Sequence, residues 1–143
     1  MQEVVAREEI RDLAVRYNAY GDSGLIDEAV QLFVPDARLE LVEGDQTAVY
    51  SGREAIARLL NDTKDAWMAA ARSAGRPPYV RHFLSTHQVD FVDRTSARGR
   101  SYVAVVMAHG LDHWGRYLDA YRQVGGRWLI DHRRAITDGR RRS

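Results

Sequence analysis

Cysteine is absent from the 143 residues. That excludes disulfides, thiolate chemistry and cysteine-held metals, and it suits a reducing compartment. Proline is scarce: of three, two are adjacent at Pro77-Pro78, so no proline-rich spacer divides the chain. No apolar run approaches the roughly 18 residues of a membrane span. The opening MQEVVAREEIRDL lacks the charged-then-apolar layout of a signal peptide, so the expectation is a cytoplasmic protein with no membrane role. An excess of one charge is also missing, with a net charge of +1. No basic stripe with interleaved aromatics runs through the body, which argues against nucleic-acid binding.

What is present is the composition of a single folded domain, with 45% hydrophobic and 29% charged residues. The near-neutral total hides an asymmetry. Residues 133–143 hold five arginines and one aspartate, which leaves residues 1–132 at −3. We therefore expect a domain over residues 1–135 and a basic, disordered tail over residues 136–143.

Helical periodicity marks three segments. Glu3 to about Gly21 carries Ile10, Leu13, Ala14 and Tyr17 on one face, and Gly21-Asp22-Ser23-Gly24 breaks it. A short second helix follows, with Ile26, Ala29, Val30 and Phe33 apolar and Pro35-Asp36 as its end. A third runs from Arg53 through Ile56, Leu59 and Leu60 to about Met68. Arg38–Val42 and Thr47–Tyr50 read as two strands around a Glu43-Gly44-Asp45 turn. Four long strands close the chain: Val80–Val92, Ala97–His109, Gly115–Val124 and one beginning at Trp128 after the Gly125-Gly126 turn. Helices first and an antiparallel meander after them give an α+β layering.

The ordered set "YNAYGDSGLIDEAVQLFVPDARLEL", "SGREAI", "RHFLSTHQVDF" and "GRWLIDHRR" spans about residues 5–135. It resembles the SnoaL-like, scytalone dehydratase-like members of the nuclear transport factor 2-like superfamily. The resemblance implies a cone-shaped roll: about three N-terminal helices on a strongly curved, mostly antiparallel sheet that encloses a pocket. It also implies an Asp-His dyad, carried here by Asp22 and His82. On composition alone Asp22 is a turn former and His82 an ordinary strand residue.

His109 follows His82 at a spacing close to that of the dehydratase's second histidine, which implies proton delivery to the leaving hydroxyl. It reads equally as a strand-end residue near solvent. His109, Asp112 and His113 lack a ligand spacing, so no metal is expected, and no cofactor.

Tyr17 and Tyr20 precede Asp22 on the first helix, and Tyr20 is the better pocket candidate because Tyr17 fits the core stripe. Tyr117, Asp119 and Tyr121 share one strand face by alternation and would line the pocket opposite the dyad. The family's dehydratase has asparagine where this chain has Tyr117, and tyrosine where it has Leu41. Scytalone itself is therefore not the expected substrate. Alternation puts His87 on the face opposite His82. An arginine after His132 either meets an acidic substrate group or opens the basic tail.

These readings lead first to a cofactor-independent, dehydratase-like lyase acting on a small, largely apolar or polyketide- or steroid-like substrate. In it His82 takes a proton next to a carbonyl or activated carbon. The alternatives are an isomerase or polyketide cyclase of the ketosteroid isomerase-like type, with Asp22 as base, and a non-catalytic binding or dimerisation module. A dimer or trimer through the outer sheet face is expected in each case.

Overall fold

The computed structural model describes residues 2–142. Met1, at the start of the expected domain, and Ser143, at the end of the expected tail, lie outside the described residues. The elements run α1 (Gln2–Asp22), α2 (Ile26–Val30), β1 (Phe33–Glu43), β2 (Gln46–Ser51), α3 (Arg53–Ser73), β3 (Val80–Phe91), β4 (Ser96–Met107), β5 (Gly110–Val124) and β6 (Arg127–Arg140). The expected order is the observed one. The strands form one six-stranded sheet ordered β2-β1-β6-β5-β4-β3, antiparallel throughout except where β1 runs parallel to β6. Three helices thus pack on a mostly antiparallel, curved sheet.

The first helix buries Ile10, Leu13, Ala14 and Asn18 at helical spacing. It ends where Gly24 takes φ 73°, a left-handed turn that glycine adopts without strain. Two element ends differ from expectation. Pro35 does not stop α2; it lies inside β1, whose register with β6 is interrupted between Phe33 and Arg38. There the missing proline N–H removes no ladder bond. Meanwhile α3 continues past Met68 to Ser73, because no breaker follows until Gly75 at φ 64°.

The curvature has local causes. The register slips by one residue at Asp112 on β5 and at Asp131 and Asp138 on β6, with a further slip at Thr86 and His87 on β3. Each bulge bends and twists its strand. Aspartate suits such positions because its short side chain tolerates non-strand backbone. Thr86, at φ 53°, is the one non-glycine residue with positive φ among the described residues. Gly115 meets the Asp138 bulge so closely that a Cβ there would lie 1.8 Å from the Ile136 carbonyl oxygen.

The core fills only one end of the roll. Ile10, Phe33, Ile56 and Ile130 are fully buried there between helices and sheet. A smaller cluster of Val80, Val103, Val105 and Tyr117 sits further along and leaves space between α3 and the sheet.

The basic tail is a correction. Residues 136–140 belong to β6, with Ile136 opposite Val42 and Thr137 opposite Glu43. Acidic partners on the neighbouring strands draw them in: Arg140 grips Glu43 with two bonds of 2.7 and 2.8 Å. The Arg141 amide donates to the Asp112 carbonyl at 2.7 Å. The domain boundary at residue 135 therefore moves outward.

Candidate active site

Asp22 closes α1 and His82 is the third residue of β3, 60 positions later. The Asp22 carboxylate holds His82 twice. Its Oδ2 accepts the His82 backbone N–H at 2.9 Å, and its Oδ1 lies 2.5 Å from ring Nδ1. An ionised carboxylate only accepts, so Nδ1 carries the hydrogen and Nε2 of the neutral ring keeps its lone pair. His82 lines the cavity while Asp22 sits behind it, so the bare Nε2 edge is presented inward.

The cavity has a volume of about 1150 Å³ and lies between α3 and the sheet. Leu39, Leu59, Leu60, Trp67, Val103 and Val105 make most of its wall apolar. Asn18, Lys64, His82 and Tyr117 are the polar groups near its inner end, whereas Glu43, Asp112, His113 and Arg140 mark its rim. Lys64 and Trp67 fall within the expected third helix, and their spacing from Leu60 continues its stripe, but nothing in the chain alone sets them apart as cavity residues.

The tyrosines sort differently from expectation. Tyr17 lines the cavity, edge-on to Phe33 and Tyr117 with ring centroids 5.7 and 6.3 Å apart. The Tyr20 hydroxyl instead accepts from Arg16 at 3.0 Å on the exposed side and does not reach the cavity. Successive helical residues turn by about 100°, so residues 17, 18 and 21 face inward and residue 20 does not. Tyr117 also lines the cavity, and its hydroxyl donates to Asn18 Oδ1 at 3.3 Å. Burial pushes both phenols well above their ordinary pKa, so they stay protonated donors.

Asp119 and Tyr121 share Tyr117's strand face but do not line the cavity. Asp119 makes a bidentate pair with Arg133, at 2.8 and 2.9 Å, with both side chains fully buried. Tyr121 donates to the same carboxylate at 2.8 Å. The Arg133 guanidinium lies in the corner between the perpendicular rings of Tyr17 and Tyr117, 4.5 and 4.0 Å from their centroids. Burial works against its charge, but Asp119 outweighs that and raises its pKa further. Arg133 is thus neither a surface residue nor the start of a tail.

His109 occupies the turn between β4 and β5, outside the cavity wall. Its Nε2 lies 2.9 Å from Asp112 Oδ1, and His113 Nδ1 lies 2.7 Å from the other oxygen. The structure therefore does not bring His109 to His82. Burial pushes the Asp112 pKa up, but the bonds from His113 and His109 prevail and lower it. His87 is displaced the other way. The bulge at Thr86 returns it to the inner side, where Nε2 meets the Tyr121 hydroxyl at 3.3 Å.

The fold, three helices on a curved sheet, is shared with solved structures. A protein from Novosphingobium aromaticivorans described as a candidate scytalone dehydratase matches with a TM-score of 0.78 at 22% identity, over 99% of this chain and 93% of that one. Hexachlorocyclohexane dehydrochlorinase LinA-type3 from Novosphingobium barchaimii matches with a TM-score of 0.79 at 16% identity, over 98% and 91%. An NTF2-like protein with a cystatin-like fold, also from N. aromaticivorans, matches with a TM-score of 0.74 at 29% identity, over 93% and 82%. No curated protein matches the chain. The profile of the SnoaL-like domain matches residues 2–134, and the chain belongs to that family.

Proposed function

We propose that this protein is a cofactor-independent lyase, removing water or another leaving group from a small, largely apolar substrate. His82 is the base and Asp22 its orienting partner. The observation that carries this reading is the double hold of Asp22 on the backbone and ring of His82. It fixes the tautomer and aims Nε2 into an apolar space, where the carboxylate also stabilises the imidazolium that forms on proton uptake.

The reaction would run as a proton transfer followed by expulsion. Nε2 takes a proton from carbon, and the C–H electron pair moves into the substrate. The leaving hydroxyl then departs with its bonding pair and receives the proton back from the imidazolium as water. Dehydratase and dehydrochlorinase names among the structural neighbours agree with this class of elimination.

The alternative with Asp22 itself as base is opposed by its position behind the ring, outside the cavity wall. A non-catalytic binding module would be favoured by Asp22 and His82 too far apart to hydrogen-bond, and here they are bonded. The test is turnover of folded His82→Ala and Asp22→Asn variants on a substrate found by screening. Near-normal rates in both would end the lyase reading.

We propose as well that the chain self-associates through the outer face of β3 and β4. Phe83 and Tyr102 lie there as exposed diagonal neighbours, 57% and 51% accessible. Sedimentation of a Phe83→Ser, Tyr102→Ser double variant should show a smaller assembly than the parent.

A further inference from the structure

One cation on the cavity wall has no counter-charge. The chain contains a single lysine, Lys64, against 20 arginines, and the fold sets it on the cavity face of α3 between Leu60 and Trp67. These positions are four and three residues apart, so their side chains share one stripe of the helix. The Lys64 stem lies across the turn that joins α1 to α2, where a Cβ on Gly24 would meet it at 3.4 Å. Its ammonium donates one long hydrogen bond, 3.4 Å to the Gly24 carbonyl. An ammonium has three hydrogens to donate, so two are left for another partner.

The rest of the wall supplies no such partner. Each other basic side chain lining the cavity is already matched: His82 by Asp22, His113 by Asp112 and Arg140 by Glu43. Among the described residues, none forms an ion pair with Lys64. Asp62 and Asp65 are exposed on other faces of α3. Asp22, two residues from Gly24, gives both of its oxygens to His82. The carboxylates on the wall, Glu43, Asp45 and Asp112, belong to the rim at the β1–β2 and β4–β5 turns. A charge set beside apolar walls is costly until something pairs with it. Arginine serves every other such position in the chain, whereas an ammonium on a flexible stem is a point charge that can follow a ligand.

We infer that Lys64 binds the carboxylate of an acidic substrate, whose apolar, ring-sized body lies against Leu60 and Trp67 and extends to His82. This rests on the lyase reading and names its substrate class as monocarboxylic acids of an otherwise apolar ring system. The acid is a handle that takes no part in the reaction; the C–H bond that meets His82 and the leaving group both belong to the body. One ammonium balances one carboxylate, whereas a phosphate monoester with close to two charges would stay half matched. The body must be apolar because Ile26, Ala29, Leu59 and Val103 complete the wall around it, and polar groups set there would lose their water without replacement. Lys64 is thus a specificity residue, and the dyad keeps the chemistry.

The probes are 2-naphthoate, ionised at neutral pH, and 2-methylnaphthalene, which has the same skeleton and no charge. By calorimetry the parent protein should bind 2-naphthoate about 10–100-fold more tightly than Lys64→Met does, the worth of a hydrogen bond to a charged group. Both proteins should bind 2-methylnaphthalene alike. If the variant does not fold, acetylating the single lysine of the folded parent removes the same charge. That treatment should weaken 2-naphthoate selectively, and modification of the α-amine alone should not. Equal affinity for 2-naphthoate with and without the Lys64 charge would overturn the proposal, and so would a loss shared by 2-methylnaphthalene. The preference for the acid should persist in folded His82→Ala; its disappearance there would put the anion on the imidazole and overturn the proposal too. Loss of turnover in the dyad variants beside unweakened 2-naphthoate binding in Lys64→Met sinks the acid anchor alone. Retained turnover beside weakened binding sinks the lyase reading alone.

Discussion

Two carboxylates in this cone each hold a nitrogen group, and they do so in opposite ways. Asp22 grips His82 at the cavity, where the ring is 27% exposed and its second nitrogen is free. Asp119 grips Arg133 behind the tyrosines, where neither side chain has any exposure and a third partner, Tyr121, is bound to the same carboxylate. The first pair can change protonation state because one member is a histidine with an open face. The second cannot, because a guanidinium beside a buried carboxylate keeps its proton. On the proposed function, chemistry and rigidity are thus divided between two similar pairs. What separates them is the identity of the base and the access of the cavity to it.

The sharpest way to break this comparison is to exchange the consequences. His82→Ala should lower turnover by about 10²–10⁴-fold with little change in urea midpoint; a large midpoint shift would make the dyad structural. Asp119→Ala should do the reverse, costing roughly 3–5 kcal/mol of stability by stranding a buried cation, measured by urea unfolding. The paired change Asp119→Leu with Arg133→Met should recover most of that loss, since apolar replacement of both partners is often neutral.

Smaller effects sharpen the boundary between the regions. Gly115→Ala should destabilise by about 1–3 kcal/mol through the clash at the Ile136 carbonyl, because backbone cannot step aside. A modest pH effect belongs to His87, whose pKa is lowered by burial. In acid the unfolded chain protonates this residue before the folded one does. Stability from this group is therefore full above the ordinary histidine range of about 6.5 and falls as pH drops through it. The drop in urea midpoint from about pH 7.5 to about pH 5.5 should be smaller in His87→Gln.

Much of this was legible in the chain. The order of elements followed from periodicity and from glycine turns, and Asp22 and His82 stood out through the family resemblance together with their residue types. What stayed hidden has one main cause. Period-2 alternation holds only while register holds, and the bulges break it. Strict alternation from the buried Trp128 and Ile130 would turn His132 and Arg134 inward and Arg133 outward. The slip at Asp131 reverses this, so Arg133 faces Asp119. The slip at Thr86 likewise brings His87 inward. The far end of the last strand, residues 136–140, was missed for another reason: its arginines look like a solvated run until Glu43 and Asp112 are seen beside them. Asn18 gave a signal that was available, its four-residue spacing from Asp22, but a lone asparagine in a helix suggests nothing without a cavity beside it.

The aspartate at position 131 has a further meaning when β6 is viewed as two half-strands with separate phases. Below it, Trp128 and Ile130 keep time with the packed core; above it, Ala135 and Thr137 keep time with the cavity wall. The one-residue step at this joint is what lets alternate residues of the lower half and of the upper half both face inward. One continuous strand can therefore serve a packed foundation and a hollow chamber at once.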